Sequence, residues 1–112
     1  VSARSETRLW IAQRASAMVL AICVAVHLAT MTVAVHGGLS AADILGRTRG
    51  SAAWAAFYGI FVLAISIHAP LGLRTMASEW LAWRGPSADA ACAMIALSLL
   101  ALGLLAVAAV TL

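Results

Sequence analysis

Three apolar stretches, each long enough to cross a bilayer, leave this chain few ways to fold. They follow Arg14, Ser51 and Ser87 and are broken only by Gly37-Gly38 and Gly85-Pro86 with the polar residues around them. A hydrocarbon core of about 30 Å takes roughly 20 apolar residues per helix. Apolar residues make up 64% of the 112 and charged residues 10%, with a mean hydropathy of +1.03. Soluble domains hold about 45–50% and about 25% of these classes. The expected fold class is therefore all-α and integral to a membrane. It is read as one domain over residues 1–112, three transmembrane helices in an up-down-up bundle.

Local signals set the expected boundaries. The first helix runs from about Trp10 to His36 and stops at Gly37-Gly38, leaving residues 1–9 polar and solvated or bound to a partner protein. In residues 39–50, Ser40 followed by Asp43 is a capping-box signal, which predicts a short interfacial helical turn. Ser51 can cap a second helix from about Ala52 to Trp83, distorted at Pro70, which removes a hydrogen bond to the Ser66 carbonyl. Gly85-Pro86 ends it, and Ser87 begins a third helix from about Ala88 to Leu112. There Ala88, Cys92 and Ala96 form a four-residue stripe suited to close helix packing. The first apolar run is longer than a signal-peptide core and is followed by polar residues, so it is expected to be a retained span.

All seven basic residues are arginines. Up-down-up topology puts Arg4, Arg8, Arg14, Arg74 and Arg84 on one side and only Arg47 and Arg49 on the other, which predicts a cytoplasmic N-terminus. Trp10, Trp80 and Trp83 then make a cytoplasmic aromatic belt, with Trp54 and Tyr58 toward the far face. No basic stripe or stacking surface suggests nucleic acid. Cys23 and Cys92 lie inside spans without CxxC spacing and read as packing residues.

Two histidines are the costly residues. His36 ends the first helix at the water interface, but His27 and His68 lie deep within their spans, where an imidazole needs a partner. With no carboxylate near them in the bilayer, a b-type haem suits the pair better than a proton path; hydrogen bonds to neighbouring helices are the plain alternative. Ala64 and Gly72 lie one turn either side of His68, with Ile65 and Leu71 beside them, which leaves room for a flat group. Ser16, Leu20, Cys23, Val24, Thr30 and Met31 share the face of His27. At about 1.5 Å per residue, His27 stands roughly 20 Å above Arg14 and His68 roughly 9 Å above Arg74. They could serve two haems or one.

At the expected cytoplasmic rim stand Trp10, Gln13, Arg14, Ser16, Arg74, Glu79 and Trp80. Arg14 and Arg74 could pair with haem propionates. Trp10, Arg14, Ser16, Glu79 and Trp80 could line a quinone site, with the quinone tail in lipid. Snorkelling and belt residues are the ordinary alternative.

The segment Trp10-Ile11-Ala12-Gln13-Arg14-Ala15-Ser16-Ala17 resembles the HR-x-[ST]-G opening of the first helix in the cytochrome b anchor subunits of succinate dehydrogenase and fumarate reductase (complex II). His68-x-x-x-Gly72-Leu73-Arg74, followed by Glu79, resembles their second-helix signature H-x-x-x-G-[IL]-R-x-x-x-x-D. The likeness covers most of the chain. It departs at Gln13, where histidine is common, at Ala17 for glycine, at Glu79 for aspartate, at Trp10 for an upstream serine and at Thr75 for a histidine.

The resemblance implies that His68 is an axial haem ligand, with Arg14 and Ser16 near the quinone and propionates and Glu79 the acid at the cytoplasmic end. His27 resembles the first-helix ligand of members that hold two haems. One or two haems b would be shared with a second small membrane-anchor subunit, beside an iron–sulfur subunit and a flavoprotein subunit in a bacterial-type inner membrane. The chain would pass electrons to quinone and have no activity alone, lacking a flavin fold and a cluster of cysteines. Two other readings are a b-type cytochrome anchor of another dehydrogenase and a haem-free three-helix interaction or assembly protein.

Overall fold

A computed structural model describes residues 2–112. Four helices account for the secondary structure of these residues: α1 (Ala3–Gly37), α2 (Ala41–Thr48), α3 (Ala52–Trp80) and α4 (Pro86–Thr111). α1, α3 and α4 are each long and apolar enough to cross a membrane.

Capping chemistry explains where helix ends differ from those expected. α1 starts at Ala3 rather than near Trp10, because the Ser2 hydroxyl accepts from the Ser5 N–H at 3.2 Å and no glycine or proline follows until Gly37. α3 ends at Trp80 rather than Trp83. Ala82 takes a left-handed conformation (φ 52°), and the Leu81 and Trp83 N–H groups both turn back to the Ala77 carbonyl at 3.1 and 3.0 Å. α4 opens on Gly85 with Pro86 at its first position, two residues ahead of Ala88. The Ser40–Asp43 capping box forms complete and starts α2, and Ser51 caps α3 through the Trp54 N–H. α3 continues through Pro70, which is fully buried.

α3 is the central helix, packed against α1 on one side and α4 on the other, while α2 lies against the end of α4. The buried apolar residues are small, Cys23, Ala34, Ala64 and Ala88, while Met18, Val33, Leu97, Leu102 and Leu105 face outward. Lipid tails are as apolar as leucine, so helices gain little by hiding large side chains and associate by close approach. Along α1 the less exposed positions recur as Ser16, Leu20, Cys23, His27, Thr30 and Ala34, a seam spaced by alternate threes and fours. On α4 the seam passes Ala88, Cys92 and Ala96 to Gly103. A Cβ on Gly103 would stand 2.5 Å from Val62 Cγ1.

The last carbonyls of α4 are taken up by the first connection. Thr48 Oγ1 donates to the Val110 carbonyl at 2.7 Å, and the Gly50 N–H donates to that of Thr111 at 2.8 Å.

Gly103→Ala should therefore destabilise the bundle by about 1–3 kcal/mol through overpacking against a stiff valine. Unfolding in mixed detergents should show this loss, and Val62→Ala in the same chain should recover most of it. The Asp43 carboxylate accepts from the Ser40 hydroxyl at 2.6 Å and the Ser40 N–H at 3.2 Å. Those bonds, the hydroxyl first, hold its pKa below the ordinary 3.8. The capping box should contribute fully above that ordinary value and be lost as pH falls through the lower native one. NMR titration of Asp43 in micelles should give a midpoint below 3.8; one at or above it contradicts the cap.

Candidate functional site

α1 and α3 run antiparallel, so the start of α1 meets the end of α3. Gln13 enters the seam there. A Cβ on Gly72 would lie 3.5 Å from Gln13 Nε2, so the glutamine amide covers the place where Gly72 has no side chain. One turn back along α3 stands His68, half-buried. Its Nδ1 and Gln13 Oε1 are the buried side-chain nitrogen and oxygen atoms without a hydrogen-bond partner among the described residues. Each such atom costs about 1–3 kcal/mol.

His27 is placed differently. Its Nδ1 lies 3.4 Å from the Tyr58 hydroxyl, and its ring meets those of Tyr58 and Phe61 edge-on with centroids 5.9 and 5.8 Å away. It borders a largely apolar, open groove of about 440 Å³ that Thr48, Val62 and Gly103 also line. His68 stands seven residues beyond Phe61, about 10 Å along α3. The two histidines therefore sit at different levels of the α1–α3 pair. His36 ends α1, exposed, with Nδ1 2.9 Å from the Thr32 carbonyl oxygen.

The rim residues divide into separate sets. Arg14 sits 5.4 Å from the Trp10 ring centroid, an exposed cation–π pair. Ser16 is buried in the seam and donates its hydroxyl to the Gln13 carbonyl at 3.0 Å. Glu79 and Trp80 are exposed at the end of α3. Arg74 turns toward α4 and the start of α1. Its Nε donates to Asp89 Oδ1 at 2.9 Å, and its Nη2 lies 3.9 Å from Glu6 Oε1. This ion group borders a polar cleft of about 450 Å³ with Ser78 and Arg84.

The structure thus joins Arg74 to two acids that reading along the chain did not pair with it. Asp89 lies fifteen residues away and is brought alongside by the α3–α4 turn. The sequence marks Tyr58 as a belt residue and Gln13 as a rim residue that departs from the resembled pattern, and assigns neither a partner. The position of Gln13 on the 3–4 spaced seam, three residues before Ser16, was the available signal. No group of three or more His, Cys, Asp or Glu side chains among the described residues could hold a bare metal ion.

A family model described as succinate dehydrogenase/fumarate reductase transmembrane subunit matches residues 1–110. No curated protein and no solved structure matches the chain.

With Arg74 and Asp89 side chains 25% and 51% exposed, their pair should contribute no more than about 1 kcal/mol. Asp89→Asn should shift the unfolding midpoint in detergent only slightly. A loss of several kcal/mol would mark a dry, coupled network instead.

Proposed function

The chain belongs to the succinate dehydrogenase/fumarate reductase transmembrane subunit family, and from that premise we propose that it is a haem b-binding anchor passing electrons from an iron–sulfur subunit to membrane quinone. The observation that carries this reading is His68 Nδ1, shut into the α1–α3 seam of a membrane helix without a partner. An imidazole so placed can serve as an axial ligand. Gly72, one turn beyond His68, carries no side chain, and the Gln13 amide takes up the room this leaves.

Haem there supplies a one-electron centre between the iron–sulfur chain and quinone. His68 would hold the iron, and a second subunit would supply any further protein ligand. His27 would serve a separate, second iron, with Tyr58 fixing its Nδ1 and leaving Nε2 free. Arg74 already has its charge balanced by Asp89 and Glu6, so Arg14 is the better placed cation for a propionate at the polar boundary.

Reducing a quinone to a quinol takes two electrons and two protons. The rim provides donors in the Trp10 and Trp80 indoles and the Arg14 guanidinium, and the exposed Glu79 carboxylate can relay protons from water. Ser16 spends its own proton on the Gln13 carbonyl, so toward quinone it can only accept. Trp10, Arg14, Glu79 and Trp80 are exposed, so a second membrane subunit would complete the quinone pocket. That subunit would cover part of the outward apolar face, and the soluble iron–sulfur and flavoprotein subunits would dock at the rim. The five arginines at this end make it the cytoplasmic one, in a bacterial-type inner membrane.

His68→Ala should remove at least one haem from the assembled membrane complex, read as loss of the α band in the dithionite-reduced spectrum. Retention of the full band would exclude His68 as ligand.

A further inference from the structure

Ser16, Thr30, Ser66 and Thr75 each satisfy their hydroxyl on a carbonyl of their own helix. Two buried atoms stay without a partner, and they are complementary. Gln13 Oε1 can only accept a hydrogen bond; His68 Nδ1 can donate one when the ring carries its proton there. They lie on facing helices: Gly72, one turn beyond His68 on α3, has the Gln13 amide nitrogen 3.5 Å from where its Cβ would stand. Two unrelated orphans would each carry a separate cost, whereas one bridging water, which forms two to four hydrogen bonds, satisfies both.

We propose that Gln13 is the positioning residue for His68: through one water its Oε1 accepts from Nδ1–H, fixing the tautomer that leaves Nε2 as the ligating nitrogen. This inference rests on the haem assignment above. An imidazole whose far N–H is held by an acceptor is a more basic ligand and a better oriented one. It favours the oxidised, more positive iron and therefore lowers the midpoint potential. A histidine in place of Gln13 would offer one nitrogen that is either donor or acceptor; the amide oxygen is always an acceptor. Glutamine is thus suited to hold one tautomer without titrating.

The test is a redox titration of the assembled complex in native membranes, followed by the α band, with two variants. Gln13→Leu keeps the volume and removes the acceptor; it should raise the midpoint potential of the His68 haem and weaken haem retention about 10–100-fold. Gln13→Glu keeps an oxygen at the same reach and strengthens it as an acceptor; it should lower the potential below that of the native complex. A purely structural role would move both variants the same way or leave the potential unmoved, and either result overturns the proposal. If Gln13→Leu fails to assemble, the downward shift in Gln13→Glu decides it alone. His68→Ala, measured in parallel, separates the two levels. Loss of haem there with unshifted potentials in both Gln13 variants removes only the role of Gln13. Full haem in His68→Ala removes the assignment beneath it.

Discussion

Helices in lipid are held together by how closely their backbones approach, because the surrounding tails offer large side chains as good a home as the protein interior does. α3 depends on this constraint twice, once on each flank. Toward α4 the contact narrows until Gly103 admits Val62 where any side chain would collide. Toward α1 it narrows around Ala64 and Gly72, with Ser16 and Cys23 opposite. The large residues are displaced outward, onto surfaces left to lipid or to another subunit.

The same low-dielectric setting governs the polar groups. Backbone donors and acceptors are consumed by the helices, and serine and threonine side chains bond to carbonyls three or four residues back. Thr32, Thr111 and Ser66 all do so. Against that background an imidazole nitrogen and an amide oxygen left unsatisfied in one seam mark a place that the chain alone does not complete. At the ends of the bundle the logic reverses. There arginines, acids and tryptophans meet water, and the Arg74–Asp89–Glu6 group ties three helices with interactions that solvent screens.

The three spans were legible because hydropathy over twenty residues outweighs any local signal. Their ends were less so, because single residues decide them. Ser2 starts α1 early, and Ala82 in a left-handed conformation stops α3 before Trp83. The small interfacial helix was legible from Ser40 and Asp43, whose capping chemistry is contained in four residues. His68 and His27 could be placed at different levels from helix rise alone, and the contacts of His27 with Tyr58 and Phe61 agree. The roles of Asp89 and Gln13 were hidden for a common reason. Each depends on which side chain of another helix lies opposite, and spacing along one strand of sequence does not specify register between helices.

The bonds from Thr48 and Gly50 to the end of α4 have a consequence in time. Val110 lies 62 residues beyond Thr48, and ribosomes add about 5–20 residues per second. The first connection must therefore wait several seconds after its own emergence before its acceptors exist. α1 and α3 can associate in that interval, while the groove beside His27 stays open at its Thr48 edge. Completion of that end becomes a late step of biogenesis, because Gly103, Val107 and Val110 of α4 form one wall of the groove.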